Sequence, residues 1–229
     1  MRPELRPLVR TLSLRRVPFG DTFVHSGTIG NVEIIATMTG IGTLAAARAT
    51  ERLLSSMTVD HVVVVGIAGG VVGVEIGDVI VPALVVDGST GSEHRPSPFG
   101  DTASRGKIWT SDELLVEKDA LARLAEQGVV ALDMETASIA AICEQHQCPW
   151  SVFRGISDRA SDELVDEAVF GLARPDGKAN LPAVGRYLLR RPWRVRRLAR
   201  LGHDMSVAAN AAAAAAVRAC AQHELEHWR

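Results

Sequence analysis

The chain has 229 residues, 47% of them hydrophobic and 4% aromatic, with 25 Lys+Arg against 27 Asp+Glu. That length is enough for one sizeable α/β domain, and no linker splits it. A net charge of −2 gives no overall pull toward nucleic acid or membrane. No run of ~20 apolar residues offers a spanning helix. The basic stretch Met1–Arg10 lacks the apolar core of a signal peptide, so a cytoplasmic location is expected.

Leu5, Leu8, Val9 and Leu12 fall on one face of a helix over Met1–Leu12. Thr22–Ser26 and Val32–Thr37 read as a hairpin around Gly30-Asn31. Thr39-Gly40-Ile41-Gly42-Thr43-Leu44-Ala45 then opens a helix to about Ser55. This matches G-x-G-x-x-A after a strand. The acid that should bind a dinucleotide ribose belongs at the end of the next strand, however, and Asp60 stands before it. A tight turn whose amides and helix N-terminus face an anion or a ribose is the better reading. His61–Val65 reads as a central strand. It runs into Gly66-Ile67-Ala68-Gly69-Gly70, where glycines allow positive φ and close approach to a ligand. Gly77-Asp78 turns into a strand over Val79–Val86. Asp87–Arg105 is a long polar loop, a mobile lid or an interface arm, in which His94 and Arg95 could reach a substrate or phosphate or be solvated loop residues. Lys107–Thr110 is a short strand, Ser111-Asp112 caps the segment after it, and Glu117–Gln127 is an amphipathic helix closed by Gly128.

The stretch Val129–Asp162 organises the chain. The apolar run Val129–Leu132 ends in Asp133-Met134-Glu135, a helix with small packing faces comes next, and a second strand, Trp150–Ile156, ends in Ser157-Asp158. This reads as a βαβ unit. Both strands deliver carboxylates at their carboxyl ends, where open α/β sheets place ligands. Taken singly, Glu135 is a helix-start acid and Asp158 a helix cap. The pair at adjacent strand ends makes both candidates for a site. Asp162–Leu172 is a further helix and Arg174-Pro175-Asp176-Gly177 a turn. Gly185–Leu201, with arginines from Arg186 to Arg200, fits either an anionic membrane surface or a helix pair packed on the core with a solvated arginine face. The second reading is preferred. Ala208–Ala216 favours a closely packed helix. Cys143, Cys148 and Cys220 lack zinc spacing and read as buried thiols. His223 and His227 share a helix face without a third ligand and read as frayed terminal residues, so no metal is expected.

Met134-Glu135 and Arg154-Gly155-Ile156-Ser157-Asp158, at this spacing, resemble the nucleoside phosphorylase and nucleosidase superfamily, in particular the methylthioadenosine/S-adenosylhomocysteine nucleosidases. The resemblance spans nearly the whole chain, strongest at Val129–Asp162 and weakest at Asp87–Arg105. It implies one α/β domain over 1–229, a mixed twisted central sheet flanked by helices. It also implies cleavage of the N-glycosidic bond of an adenine nucleoside without metal or organic cofactor. Carried over by motif, Glu135 grips the ribose, Met134 packs under the sugar, and Asp158, next to Ser157, protonates the purine. Arg154 would anchor the Asp158 loop. Met1-Arg2-Pro3-Glu4 resembles the segment that ends the family's first strand, with that strand itself missing. The natural start is then expected upstream, or the chain truncated. This makes Glu4 the base for the attacking water, although alone it reads as a first-turn acid beside Pro3. Ala68 and Gly69 would lie beside base and sugar, with Ile67 where the family often has Ser. The backbone near Leu114 and Leu115 would edge the purine. Phosphorylases of the superfamily carry an Arg just before the glycine-rich segment. Val64 and Val65 stand there, which leans toward water and leaves phosphate open. The tail resembles hopanoid-associated phosphorylases, so phosphorolysis of a lipid-linked nucleoside, adenosylhopane, is an alternative. A non-catalytic nucleoside-binding homologue is another, and an oxidoreductase binding nicotinamide at Gly40–Ala45 a distant third. The expected partners are a purine nucleoside and a second copy in a homodimer, with no nucleic acid.

Overall fold

The computed structural model describes residues 2–113, 115, 117–159 and 195–227. The expected helix at Asp162–Leu172, the turn at Arg174–Gly177, Leu114 and the arginines from Arg186 to Arg194 lie outside the described residues, as do the side chains of Arg197 and His227.

Helix α1 (Arg2–Thr11) forms where the apolar periodicity puts it. An antiparallel meander comes next: β1 (Arg15–Phe19), β2 (Thr22–Ile29) and β3 (Val32–Ala36). Its turns use Gly20 (φ 56°) and Gly30 (φ 55°), left-handed positions open to glycine at little cost. The β2–β3 hairpin matches expectation. Strand β1 has no sequence signal, because Arg15-Arg16 and Pro18 break the alternation; the proline is tolerated at a sheet edge.

Helix α2 (Thr43–Ser56) leads into β4 (Val62–Gly70), which takes in the glycine-rich segment. β4 pairs in parallel with β10 (Trp150–Arg159) along its whole length. Gly66, Gly69 and Gly70 have no positive φ. Their missing Cβ serves packing instead: one on Gly66 would meet the side chains of Arg154 and Glu4. The expected strand Val79–Val86 divides into β5 (Val79–Ile80) and β6 (Leu84–Asp87), since Pro82 has no N–H for a ladder. The loop Asp87–Arg105 contains β7 (Glu93–His94), which folds back on β6. Then come β8 (Lys107–Thr110), α3 (Lys118–Glu126), β9 (Val129–Asp133) and α4 (Thr136–Gln145). His94 is buried and its Nδ1 lies 2.8 Å from Glu144 Oε2 on α4, so it faces neither substrate nor solvent. Asp112 does not cap α3. It accepts from Thr43 N at 2.8 Å and from Thr43 Oγ1 at 2.5 Å, capping α2 from across the fold.

Among the described residues the second sheet has seven strands in the order β5-β10-β4-β9-β8-β6-β7 and is mixed. The β9–α4–β10 elements exist but are not a parallel βαβ unit. β4 lies between the two strands, parallel to β10 and antiparallel to β9. β4 and β9 overlap only through Gly69↔Leu132 and Gly70↔Ala131, at the carboxyl end of each. Continuing an antiparallel register past Leu132 carries residues 133–135 back toward Gly66. The two carboxyl ends therefore still meet, by a different route from the one expected.

Helices α2 and α4 cover one face of this sheet, with Ala46, Ile139 and Cys143 against Val64, Val152 and Ile156. The long α5 (Val195–His227) covers the other, where Ala215, Ala216 and Ala219 meet Phe99 and Phe153. Arg196 and Arg200 of α5 are exposed. Ala208, Ala209, Ala212, Ala213, Ala216 and Ala219 form a buried stripe on α5, short enough for the helix to rest on the β10 backbone. A Cβ at Gly155 would collide with the Ala208 carbonyl. All three cysteines are free thiols; burial pushes Cys143 up to about 12 and Cys220 up to about 11. Among the described residues, no helix is long and apolar enough to cross a membrane.

Gly155→Ala should cost about 1–3 kcal/mol through overpacking. Gly202→Ala, exposed on α5 with nothing within 4 Å of its Cβ, should gain about 0.5–1 kcal/mol. Thermal unfolding of the two variants reads both signs.

Candidate active site

Ile67 of β4 turns its backbone away from β10. Its N–H donates to Glu4 Oε1 at 3.0 Å, and its carbonyl accepts from Arg154 Nη1 at 3.4 Å. Arg154, only 3% exposed, fills the space beyond. Its Nη2 donates to Asp133 Oδ2 at 2.5 Å, Thr136 Oγ1 at 3.0 Å and Glu135 Oε2 at 3.2 Å, while Nη1 stands 4.0 Å from Glu4 Oε1. One guanidinium thus serves three carboxylates, a task for a planar fork of five donors rather than a lysine point charge. Burial opposes its charge, but Asp133, Glu135 and Glu4 together outweigh burial and hold the guanidinium above its ordinary pKa. Among the described residues Arg154 holds these three carboxylates, whereas the role expected of it is to anchor the Asp158 loop.

Asp133 has a fully buried side chain. Besides Arg154, it accepts from Thr110 Oγ1 at 2.6 Å, from Thr136 N at 3.0 Å and from the Thr136 hydroxyl. Thr110 Oγ1 in turn accepts from Ala137 N at 3.0 Å, which joins β8, β9 and α4. Glu135 sits at the N-cap position of α4 without capping it by its side chain. Its Oε1 accepts instead from Gly42 N at 3.2 Å. The Gly40-Ile41-Gly42 turn, with φ of 92° and 90° at its glycines, points the start of α2 at Glu135 and Asp112. The anion expected at this turn is therefore supplied by the chain itself. Burial raises the Glu135 pKa, and the Arg154 charge opposes that rise.

Asp158 belongs to β10. The register steps from Ile156↔Ala68 to Asp158↔Gly69, so Ser157 is the extra residue of a β-bulge that re-aims the strand end. Ser157 Oγ donates to Asp158 Oδ1 at 2.6 Å. Asp158 Oδ2 lies beside Gly69, 3.4 Å from where a Cβ would stand.

All eight residues singled out from the sequence line one cavity of about 1130 Å³. Glu4, Ala68, Gly69 and Leu115 belong to its wall, as do Met134, Glu135, Ser157 and Asp158. The volume exceeds the roughly 300–1,000 Å³ common for small-molecule pockets, because the cavity continues between β3 and β4, which do not pair with each other. At its far end His61 stacks on Phe99 at 4.3 Å and meets Ser151 Oγ at 3.0 Å. Burial and the nearby His223 lower the His61 pKa to about 4. His223 is not frayed: it packs against Phe99 at 4.8 Å. No cluster able to hold a metal ion occurs among the described residues. Asp133, Thr110 and Thr136 escaped the sequence reading. A signal for Asp133 was present: it stands two residues before Glu135, the spacing that puts two side chains on one face of a strand.

The phosphorylase superfamily model matches residues 1–103 and 99–190. The chain belongs to this superfamily. Among its relatives is the 5′-methylthioadenosine/S-adenosylhomocysteine nucleosidase of Chromohalobacter salexigens, 31% identical over 175 residues, covering 63% of this chain and 74% of the relative. The nucleosidase of the same name from Shewanella frigidimarina is 28% identical over 196 residues, covering 71% and 85%. The fold matches the Neisseria meningitidis nucleosidase in complex with methylthio-immucillin-A at a TM-score of 0.71 and 20% identity, covering 97% of this chain and 96% of that one. It matches futalosine hydrolase of Helicobacter pylori at a TM-score of 0.67 and 20% identity, covering 93% and 91%. The mixed sheet flanked by helices is thus the superfamily fold.

Arg154→Met would leave buried carboxylates without their cation and should cost about 3–5 kcal/mol in urea unfolding at neutral pH. That cost should shrink on acidification. Glu135→Gln tests the raised pKa. The folded wild type binds the Glu135 proton more tightly than the unfolded chain does. Wild-type stability from this group therefore falls as pH rises from the ordinary value of 4.5 through the raised one. Because Gln does not ionise, the melting temperature of the variant relative to wild type should rise between about pH 4 and pH 7.

Proposed function

We propose that this superfamily member hydrolyses the N-glycosidic bond of a 5′-substituted adenine nucleoside, with methylthioadenosine and S-adenosylhomocysteine as first substrates. One observation carries the reading: a single cavity holds an acid fixed by a hydroxyl, Asp158, and a carboxylate pair on one guanidinium, Glu4 and Glu135. Breaking this bond builds positive charge on the ribose and negative charge on the departing purine. The reaction needs a proton at the base, acceptors on the sugar hydroxyls and an oriented nucleophile.

Asp158 delivers the proton, to N7 of the purine. The bond from Ser157 fixes Oδ1 and orients the carboxyl. Glu135 takes the ribose hydroxyls with lone pairs that Gly42 and Arg154 leave over, and its negative charge favours the cationic sugar. Met134 packs under the sugar, Ala68 and Gly69 lie beside base and sugar, and Leu115 edges the purine. Glu4, oriented by the Ile67 amide, takes a proton from the attacking water.

Electrostatics favours water over phosphate. Asp133, Glu135 and Glu4 surround Arg154, so a phosphate entering there meets more negative charge than positive. Arg159, the other arginine on the described cavity wall, pairs with Glu75.

Adenine release from methylthioadenosine, S-adenosylhomocysteine, adenosine and inosine, with and without phosphate, tests the proposal by chromatography. Release from the first two without phosphate is expected. Asp158→Asn should lower kcat by about 10²–10⁴-fold. Release only with phosphate would make the enzyme a phosphorylase, and no release from any nucleoside would overturn the reading.

A further inference from the structure

We propose that Asp133 is a positioning residue for this reaction, one that never meets the substrate but fixes the Arg154 guanidinium and through it both Glu4 and Glu135. The inference rests on the nucleosidase reading above.

Four hydrogen bonds reach the Asp133 carboxylate, from Arg154, Thr110 and, twice, Thr136. Its side chain has no exposure, whereas those of Glu4 and Glu135 are 13% and 16% exposed and face the cavity. Asp133 also borders the cavity, but its exposed area is main chain, so its carboxylate stands behind those of the two glutamates. The shortest contact of the guanidinium is to Asp133; Glu135 is at 3.2 Å and Glu4 at 4.0 Å from the same group. The buried acid holds the cation, and the glutamates are set against a cation already held. Thr110 and Thr136 fix Asp133 from β8 and α4, so its position is determined by three elements of the fold rather than by its own rotamer.

The arrangement also divides charge. Asp133 consumes part of the Arg154 charge and adds a negative neighbour to Glu135. Without Asp133, Arg154 would lean on the two glutamates alone. Glu135 would then stay ionised to lower pH, and the geometry of both glutamates would loosen.

The test is the pH profile of Asp133→Asn, a near-isosteric change. Its kcat should fall about 10–100-fold with KM little changed. The acid limb of kcat/KM should move to lower pH, since a like charge is lost and the cation is shared among fewer anions. Asp133→Glu, which restores the charge, should bring the limb back. A loss of activity or melting temperature with the acid limb unmoved would mean a merely structural role and overturn the proposal. Should Asp133→Asn not fold, Thr110→Val removes one hydrogen bond at Asp133 and no charge: reduced kcat with KM and melting temperature unchanged supports the role, while wild-type kcat, or kcat and melting temperature falling together, overturns it. Calorimetric binding of adenosine over the same pH range reads the Glu135 titration without turnover. A silent wild-type enzyme would then overturn the nucleosidase reading, while the shift of the binding limb would still decide the role of Asp133.

Discussion

A buried positive charge is the constraint on which this structure depends. Arg154 is almost without solvent, and an unpaired guanidinium there would cost several kcal/mol. The fold meets that demand with acids from three places: Glu4 on α1, Asp133 at the end of β9 and Glu135 at the head of α4. Each has to arrive with its oxygens turned inward. The bulk of the architecture near the site can be read as the means of that delivery. Gly66 keeps its Cβ out of the way, the Ile67 amide and carbonyl tie Glu4 and Arg154 to β4, and the short antiparallel overlap of β4 with β9 returns residues 133–135 to the same point.

The sequence discloses part of this. Glu135 and Asp158 can be found because each ends an apolar run, and strand ends are where such folds place chemistry. Most helix and strand positions can be read from periodicity, including α1, α2 and the β2–β3 hairpin. Strand direction cannot. Nothing local in Val129–Asp133 tells that this strand meets β4 antiparallel, because pairing partners far along the chain decide it. The glycines of Gly66–Gly70 mislead for a related reason: the same residue type serves a turn or a close side-chain approach, and only the neighbour, here Arg154, tells which. Asp112 misleads likewise. It stands beside one helix in sequence and caps another in space.

Two kinds of surface meet in the cavity. Near Asp158 and Glu135 the wall is polar and held by hydrogen bonds, each carboxylate with a named donor. Farther along, between the edges of β3 and β4, it is aliphatic, and it ends at the His61–Phe99–His223 stack. Burial and the nearby His223 keep His61 neutral down to about pH 4.

The Glu4–Ile67–Arg154 triangle has a kinetic corollary. Its sides span 63 and 87 residues of sequence, so the contacts that make the site are among the least local in the chain. Such contacts close loops of high entropic cost and are slow to gain. Helices and hairpin can form early, from neighbours alone, while the triangle must await the ordering of α1, β4 and β10 together. Catalytic competence should then be one of the last properties a refolding chain acquires, and one of the first lost when α1 frays.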